Sequence, residues 1–114
     1  FSQTLFICTF KIGKGCFIGM KCYFDDLCVD KIVIGNNVTI SYGVYFACHG
    51  RKQKHNKIVI KDGAYIGMRT SITARNDIEI SEGAIIGAMA LVNKSVPAGA
   101  TVVGVPCRVI DKGC

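Results

Sequence analysis

Aliphatic and aromatic residues recur along this chain every six positions. Ile12, Ile18 and Phe24 form one set, and Ile34, Ile40 and Phe46 a second. Ile60, Ile66 and Ile72 form a third, and Ile80, Ile86 and Val92 a fourth. Glycine often follows the anchor, at Gly13, Gly19, Gly35, Gly67 and Gly87. A small or β-branched residue often stands four places after it, as at Cys16, Val38, Ala64 and Ala90. A period of six is neither the repeat of a helix nor the unbroken alternation of a long strand. It predicts short extended segments, each ended by a turn and each turning one apolar anchor inward. A helical reading fails, because each glycine inside a helix costs about 1 kcal/mol against alanine and the anchors are mostly β-branched. A β-sandwich needs longer alternating strands than these turns allow.

The interruptions of the period locate the loops. The step between sets is ten residues from Phe24 to Ile34, fourteen from Phe46 to Ile60 and eight from Ile72 to Ile80. If three hexapeptides close one triangular coil, each excess residue run leaves the coil at the same corner. The spacing therefore predicts a parallel β-helix of about four coils, stacked at ~4.8 Å into a prism ~20 Å tall. Loops around residues 26–32, 48–58 and 74–79 line one edge of it. We read residues 1–114 as one domain with coils over 12–29, 34–51, 60–77 and 80–97 and a closing segment over 98–114. In that segment Thr101-Val102-Val103 is extended, and Pro106, which lacks a ladder donor, suits a terminal piece that stops further pairing.

Composition narrows the class. The chain has 114 residues, half of them apolar and 19% charged, so it is globular rather than disordered. It begins at Phe1 rather than methionine, which reads as a trimmed chain. The net charge of +6 invites a nucleic-acid reading. Yet only Arg51, Lys52, Lys54 and Lys57 cluster, without interleaved aromatics or a recognition-helix pattern, so we expect no nucleic-acid partner. A basic loop of that kind suits a solvated surface or a small phosphorylated ligand. No stretch of about 18 apolar residues is present, and no secretory signal, so the expectation is a cytoplasmic chain with no membrane span. The seven cysteines form no CxxC pair and no zinc-ligand spacing. Cys16, Cys22 and Cys28, spaced by six, read as small buried hydrophobes, the compartment reads as reducing, and no metal is expected.

One stretch breaks the repeat and is polar: Phe46 to Lys57 holds both histidines and four cations. His49 falls where the second coil ends and its long loop begins, a place where a rigid strand can hold an imidazole as a base. His55 rides on the loop itself, as an exposed residue or as an acceptor contact. Asp25 and Asp26 open the first inserted loop, which stacking puts beside His49. They are either turn formers or carboxylates that orient an imidazole or hold an acceptor hydroxyl.

Ile34-Gly35-Asn36-Asn37-Val38-Thr39-Ile40, Ala64-Tyr65-Ile66-Gly67, Ile86-Gly87-Ala88 and the closing Val103-Gly104-Val105-Pro106-Cys107-Arg108-Val109-Ile110 together resemble the bacterial hexapeptide-repeat acyltransferases. The galactoside, maltose, serine and capsular-polysaccharide acetyltransferases are the nearest branches. The resemblance covers roughly residues 12 to 110. It implies a left-handed helix, against the usual hand of parallel crossovers, and a homotrimer with active sites between subunits. It also implies acetyl-CoA as co-substrate and a sugar or polysaccharide-precursor acceptor.

In the sugar-acetylating members the catalytic histidine ends a strand where a long loop begins, which is His49 here. An imidazole titrating near neutrality can take a hydroxyl proton as that oxygen attacks the thioester, with no covalent enzyme intermediate. Asp25 is the companion catalytic candidate, and Asp26, His55 and Tyr65 are the acceptor-binding ones. Tyr65 matches an aromatic wall position where relatives often carry Trp. Met68, Ala88, Asn93, Lys94 and Arg108 match acetyl-CoA positions, the two cations facing the nucleotide phosphates. Asn93 replaces the usual Thr, and Asp111 stands where relatives carry another base.

Three other readings are weaker. Serine O-acetyltransferase is the alternative enzyme: Lys54-His55-Asn56-Lys57-Ile58 resembles its Arg-His-Pro-Lys-Ile stretch, but Asp25-Asp26-Leu27-Cys28 lacks the histidine that branch carries upstream. A carbonic anhydrase of the same fold needs three metal-binding imidazoles, and the chain has two histidines in all. A non-catalytic scaffold needs neither His49 nor the closing motif.

Overall fold

The structure is a computed structural model that describes residues 11–25, 29–48 and 55–112. His49, Asp26, Cys28, Arg51, Lys52 and Lys54 lie outside the described residues. Among the described residues fourteen short strands alternate among three sheets. Sheet A stacks β1 (Lys11–Ile12), β4 (Ile32–Ile34), β7 (Ile58–Ile60) and β10 (Ile78–Ile80). Sheet B stacks β2 (Phe17–Ile18), β5 (Thr39–Ile40), β8 (Tyr65–Ile66), β11 (Ile85–Ile86), β13 (Thr101–Val103) and β14 (Arg108–Asp111). Sheet C stacks β3 (Tyr23–Phe24), β6 (Tyr45–Ala47), β9 (Ser71–Thr73) and β12 (Leu91–Val92). The chain visits A, B and C in turn, giving a left-handed parallel β-helix of triangular section.

The anchors predicted from the six-residue period are the residues that stack. Sheet A aligns Ile12, Ile34, Ile60 and Ile80, and sheet B aligns Ile18, Ile40, Ile66 and Ile86. Sheet C aligns Phe24, Phe46, Ile72 and Val92. Phe24 and Phe46 stack with ring centroids 4.7 Å apart, one coil step. Between the anchors sit Val38, Ala64, Ala84 and Ala100 beside sheet B, and Val44, Thr70 and Ala90 beside sheet C, all buried. Thr70 tolerates burial because its hydroxyl donates to Gly87 O at 3.2 Å. Coil one is the exception. Ile12 is 42% exposed and Cys16, Ile18, Cys22 and Phe24 are half-buried, because among the described residues nothing stacks beneath them.

The stack also continues past Val92 further than four coils. Val96 bridges to Ile80 in sheet A, β13 pairs β11 in sheet B, and Cys107 N–H donates to Leu91 O in sheet C. This partial fifth coil ends when β14 turns back antiparallel on β13.

The glycine after the anchor is dictated by the coil spacing. A Cβ on Gly67 would lie 2.6 Å from Ala88 N and 2.8 Å from Ile86 O, both backbone atoms of the coil above. Backbone cannot step aside as a flexible side chain can. Gly67→Ala is therefore expected to destabilise the fold by about 1–3 kcal/mol. Urea unfolding reads this as a lowered midpoint at unchanged slope, and an unchanged midpoint would contradict the steric argument.

Candidate active site

All three insertions leave between sheet C and sheet A, so they share the C/A corner as the spacing predicted. The corner is held by backbone and side-chain bonds that cross coils. Asp25, which follows β3, is only 1% exposed, and its Oδ2 accepts the N–H of Cys48 from the next coil at 3.1 Å. The carbonyl of the same Cys48 accepts the N–H of Asn56 at 2.8 Å. Asn56 is itself 1% exposed, and its Nδ2 donates to Ala74 O of the third coil at 2.7 Å. Beside it, Asp77 Oδ1 accepts the N–H of Lys57 at 2.8 Å. Both peptide groups of Cys48 are thereby fixed, one by coil one and one by the far end of the long loop. A buried carboxylate spent on a backbone N–H makes a short-range, charge-assisted bond in low dielectric.

Asn56 was not among the residues singled out in the sequence, although a signal for it exists. Strand alternation puts position 56 on the same face as Ile58 and Ile60. A polar residue in phase with buried anchors must find partners inside. Asp25 shows the opposite case: it is out of phase with Phe24, and its burial follows from the chain leaving the coil there.

Cys48 is disulfide-bonded, whereas Cys16, Cys22 and Cys107 are free thiols. The sequence reading assigned no bond to Cys48. Cys16 and Cys22 do behave as expected, half-buried with their Sγ atoms 3.0 Å from Gly35 O and 3.1 Å from Ser41 O. Among the described residues no group of three His, Cys, Asp or Glu is placed to hold a metal ion. No described helix is long and apolar enough to cross a membrane.

The remaining predicted site residues occupy three places. His55 is exposed, next to buried Asn56 at the C/A corner. Asn93, half-buried, and exposed Lys94 follow β12 at that same corner, two coils above Cys48. Met68 and Ala88 instead occupy the B/C edge, exposed and one coil apart. Exposed Arg108 stands above them, opposite Val103 where sheet B meets that edge. The five acetyl-CoA positions thus flank sheet C on both sides rather than following a single edge. Sheet C between them presents Tyr23 and Tyr45, stacked at 4.8 Å, then Ser71 and Leu91. Tyr65 lies on sheet B, 44% exposed, its OH 3.5 Å from Ser41 Oγ. It is not brought to the C/A corner of its own chain.

No protein-family model and no curated protein matches this sequence. Solved structures do. Soybean serine acetyltransferase complexed with serine is 32% identical with a TM-score of 0.72, over 90% of this chain and 40% of that one. A maltose O-acetyltransferase from Clostridium difficile is 33% identical with a TM-score of 0.77, over 89% of this chain and 57% of that one. A hexapeptide-repeat-containing acetyltransferase from Vibrio cholerae is 26% identical with a TM-score of 0.81, over 91% of this chain and 63% of that one. The chain therefore spans between about two fifths and two thirds of the length of these relatives.

Proposed function

This chain belongs to the hexapeptide-repeat acyltransferase superfamily, and on that premise we propose that it is an acetyl-CoA-dependent O-acetyltransferase. The observation that carries the reading is the doubly fixed peptide of Cys48, immediately before His49 in the sequence. A chain fixed through residue 48 is the kind of support that a positioned base needs. His49 takes the proton of the acceptor hydroxyl as that oxygen attacks the thioester carbonyl carbon. The tetrahedral intermediate collapses by breaking the carbon–sulfur bond, and the imidazolium returns the proton to the departing CoA sulfur. Acetyl passes directly from sulfur to oxygen. Asp25 acts as a positioning residue in this scheme, through the backbone it holds.

The residues present suit acetyl-CoA. Met68 and Ala88 offer an exposed, weakly polar edge to a pantetheine arm, and Lys94 and Arg108 offer cations to the phosphates. A homotrimer, in which a neighbouring copy completes each site, gives Tyr65 a role as a wall of the partner's acceptor pocket. For the acceptor, similarity to serine acetyltransferases supports a serine-type substrate better than the sugar expected from the sequence. The sugar reading keeps support from the maltose O-acetyltransferase likeness and from the lack of a histidine in Asp25-Asp26-Leu27-Cys28. Release of free CoA thiol is expected when the protein receives acetyl-CoA with serine or with a panel of hexoses. Preference for serine fixes the branch as serine O-acetyltransferase, and preference for a hexose fixes the sugar branch. No thiol release with any acceptor defeats the proposal.

A further inference from the structure

Main-chain bonds build sheet C until it reaches the C/A corner. Below coil two, Tyr23 N–H donates to Val44 O at 2.9 Å and Asp25 N–H to Phe46 O at 3.1 Å. Above it, Tyr45 N–H donates to Thr70 O at 2.9 Å and Ala74 N–H to Ala47 O at 2.9 Å. A parallel ladder repeats every two residues, so each row dictates the bond that comes next. In the lower row that bond runs from Cys48 N–H to the carbonyl of Asp25. In the upper row it runs from the N–H of residue 49 to Ala74 O.

In both rows a side chain takes up the next main-chain group. Register between β3 and β6 stops at Phe24 and Phe46, and Cys48 N–H goes to the Asp25 carboxylate instead. Register between β6 and β9 stops at Ala47 and Thr73, and Ala74 O receives Nδ2 of Asn56 at 2.7 Å. The primary amide of Asn56 offers the same kind of donor as a peptide group, so the bond it makes is an equivalent one. Its own N–H is tied to Cys48 O at 2.8 Å, and the residue is 1% exposed, so water competes for neither bond. The acceptor that would draw residue 49 into the sheet is thus occupied from the far end of the same loop. The Arg-His-Pro-Lys-Ile stretch that residues 54–58 resemble has proline here, which lacks both donors.

We propose that Asn56 is a positioning residue for acetyl transfer: by taking Ala74 O it ends the sheet C ladder at residue 48. Strand alternation shows what this achieves. Phe46 and Cys48 are buried and Ala47 faces outward, so a ladder continued by one residue would lay His49 on the outer face of sheet C. With the ladder stopped, the chain turns out at the corner and carries the imidazole there. Asn56 acts through the main chain and touches neither acceptor nor thioester. The inference rests on the reading of His49 as the base, whereas the effect on the ladder rests on the hydrogen bonds alone.

Two measurements on the whole chain test it. Amide hydrogen exchange reads the ladder, and release of CoA thiol reads the chemistry. In Asn56→Ala the carbonyl of Ala74 is open, so the N–H of residue 49 should take it and exchange about tenfold more slowly than in the parent. The same variant should lose about tenfold in kcat at unchanged KM for acetyl-CoA, and Asn56→Gln, which keeps an amide donor, should recover most of that loss. Asn56→Asp keeps the shape without the donor, and it replaces the alanine variant if that one fails to fold. Gly35→Ala controls for simple loss of stability. Its added Cβ would press on the Asp62 side chain and lie 3.1 Å from Asp62 N, at the A/B edge, so it should lower the urea midpoint and keep the parent's kcat. The proposal is overturned if residue 49 exchanges no more slowly in the donor-less variant than in the parent. It is also overturned if that variant loses no more kcat than Gly35→Ala. A parent that releases no thiol with serine or any hexose defeats the acetyl-transfer reading, and a His49→Ala variant as fast as the parent defeats the choice of base. In either case the exchange comparison still decides whether Asn56 ends the ladder.

Discussion

His49→Ala is expected to lower acetyl transfer roughly 10²–10⁴-fold while leaving the thermal midpoint unchanged, the range that a positioned general base contributes. A hydroxyl is a weak nucleophile at neutral pH, and removing the imidazole takes away the proposed proton acceptor of the attacking oxygen. The loss should fall on kcat more than on the KM for acetyl-CoA, because the proton moves only in the transition state. Following free CoA thiol under saturating acceptor checks it. A variant that turns over as fast as the parent would remove His49 from the mechanism and leave the fold assignment untouched.

Asp25→Ala is expected to damage both stability and turnover, and Asp25→Asn to spare most of both. Alanine strips the Cys48 N–H of its acceptor inside the corner, and an unsatisfied buried donor costs about 1–3 kcal/mol. For a chain of this size that is several degrees in the unfolding midpoint. Asparagine keeps a carbonyl oxygen in nearly the same place and can still accept the bond. The pair therefore separates two roles. If asparagine restores the midpoint and most of kcat, Asp25 acts by holding the strand that leads to His49. If asparagine restores the midpoint while kcat stays as low as in the alanine variant, the negative charge itself is needed and the positioning role is wrong.

Much of this architecture can be read along the chain because a β-helix is close to one-dimensional. Each coil meets only its neighbours, so a local period becomes a spatial column with little further information. Ile12, Ile18 and Phe24 head three columns for that reason, and the lengths of the interruptions suffice to put every loop at one corner. The partial fifth coil at Val96, Thr101–Val103 and Cys107 escaped notice because the step from Val92 to Val96 is four residues, shorter than the period, although Val96 and Val102 again stand six apart.

The site was legible only in part. His49 and Asp25 are candidates because they stand at repeat breaks, and the structure adds Asp25's bond to Cys48, but Asn56 carries no mark unless strand phase is followed back from Ile58. The Cys48 bond was hidden by cysteine counting, since an odd total without a CxxC pair says nothing about which thiols meet. The left-handed turns at Lys21 and Arg69 were equally hidden, because a six-residue period records which residues point inward and is silent on the sign of φ at a corner.

The sequence by itself determined the coil, the order of the columns and the corner from which the loops emerge, all of which follow from apolar periodicity and loop length. Only the tertiary structure decided that the Asp25 carboxylate is spent on the Cys48 amide, and that Asn56 closes the loop from its other end. It also decided that Lys21 and Arg69 sit in left-handed turns at one edge, whose turn positions among the described residues hold no Asp or Glu. These depend on which residues of different coils come level, and that is set by register between strands some twenty residues apart, where hydrogen-bond geometry and not local preference decides.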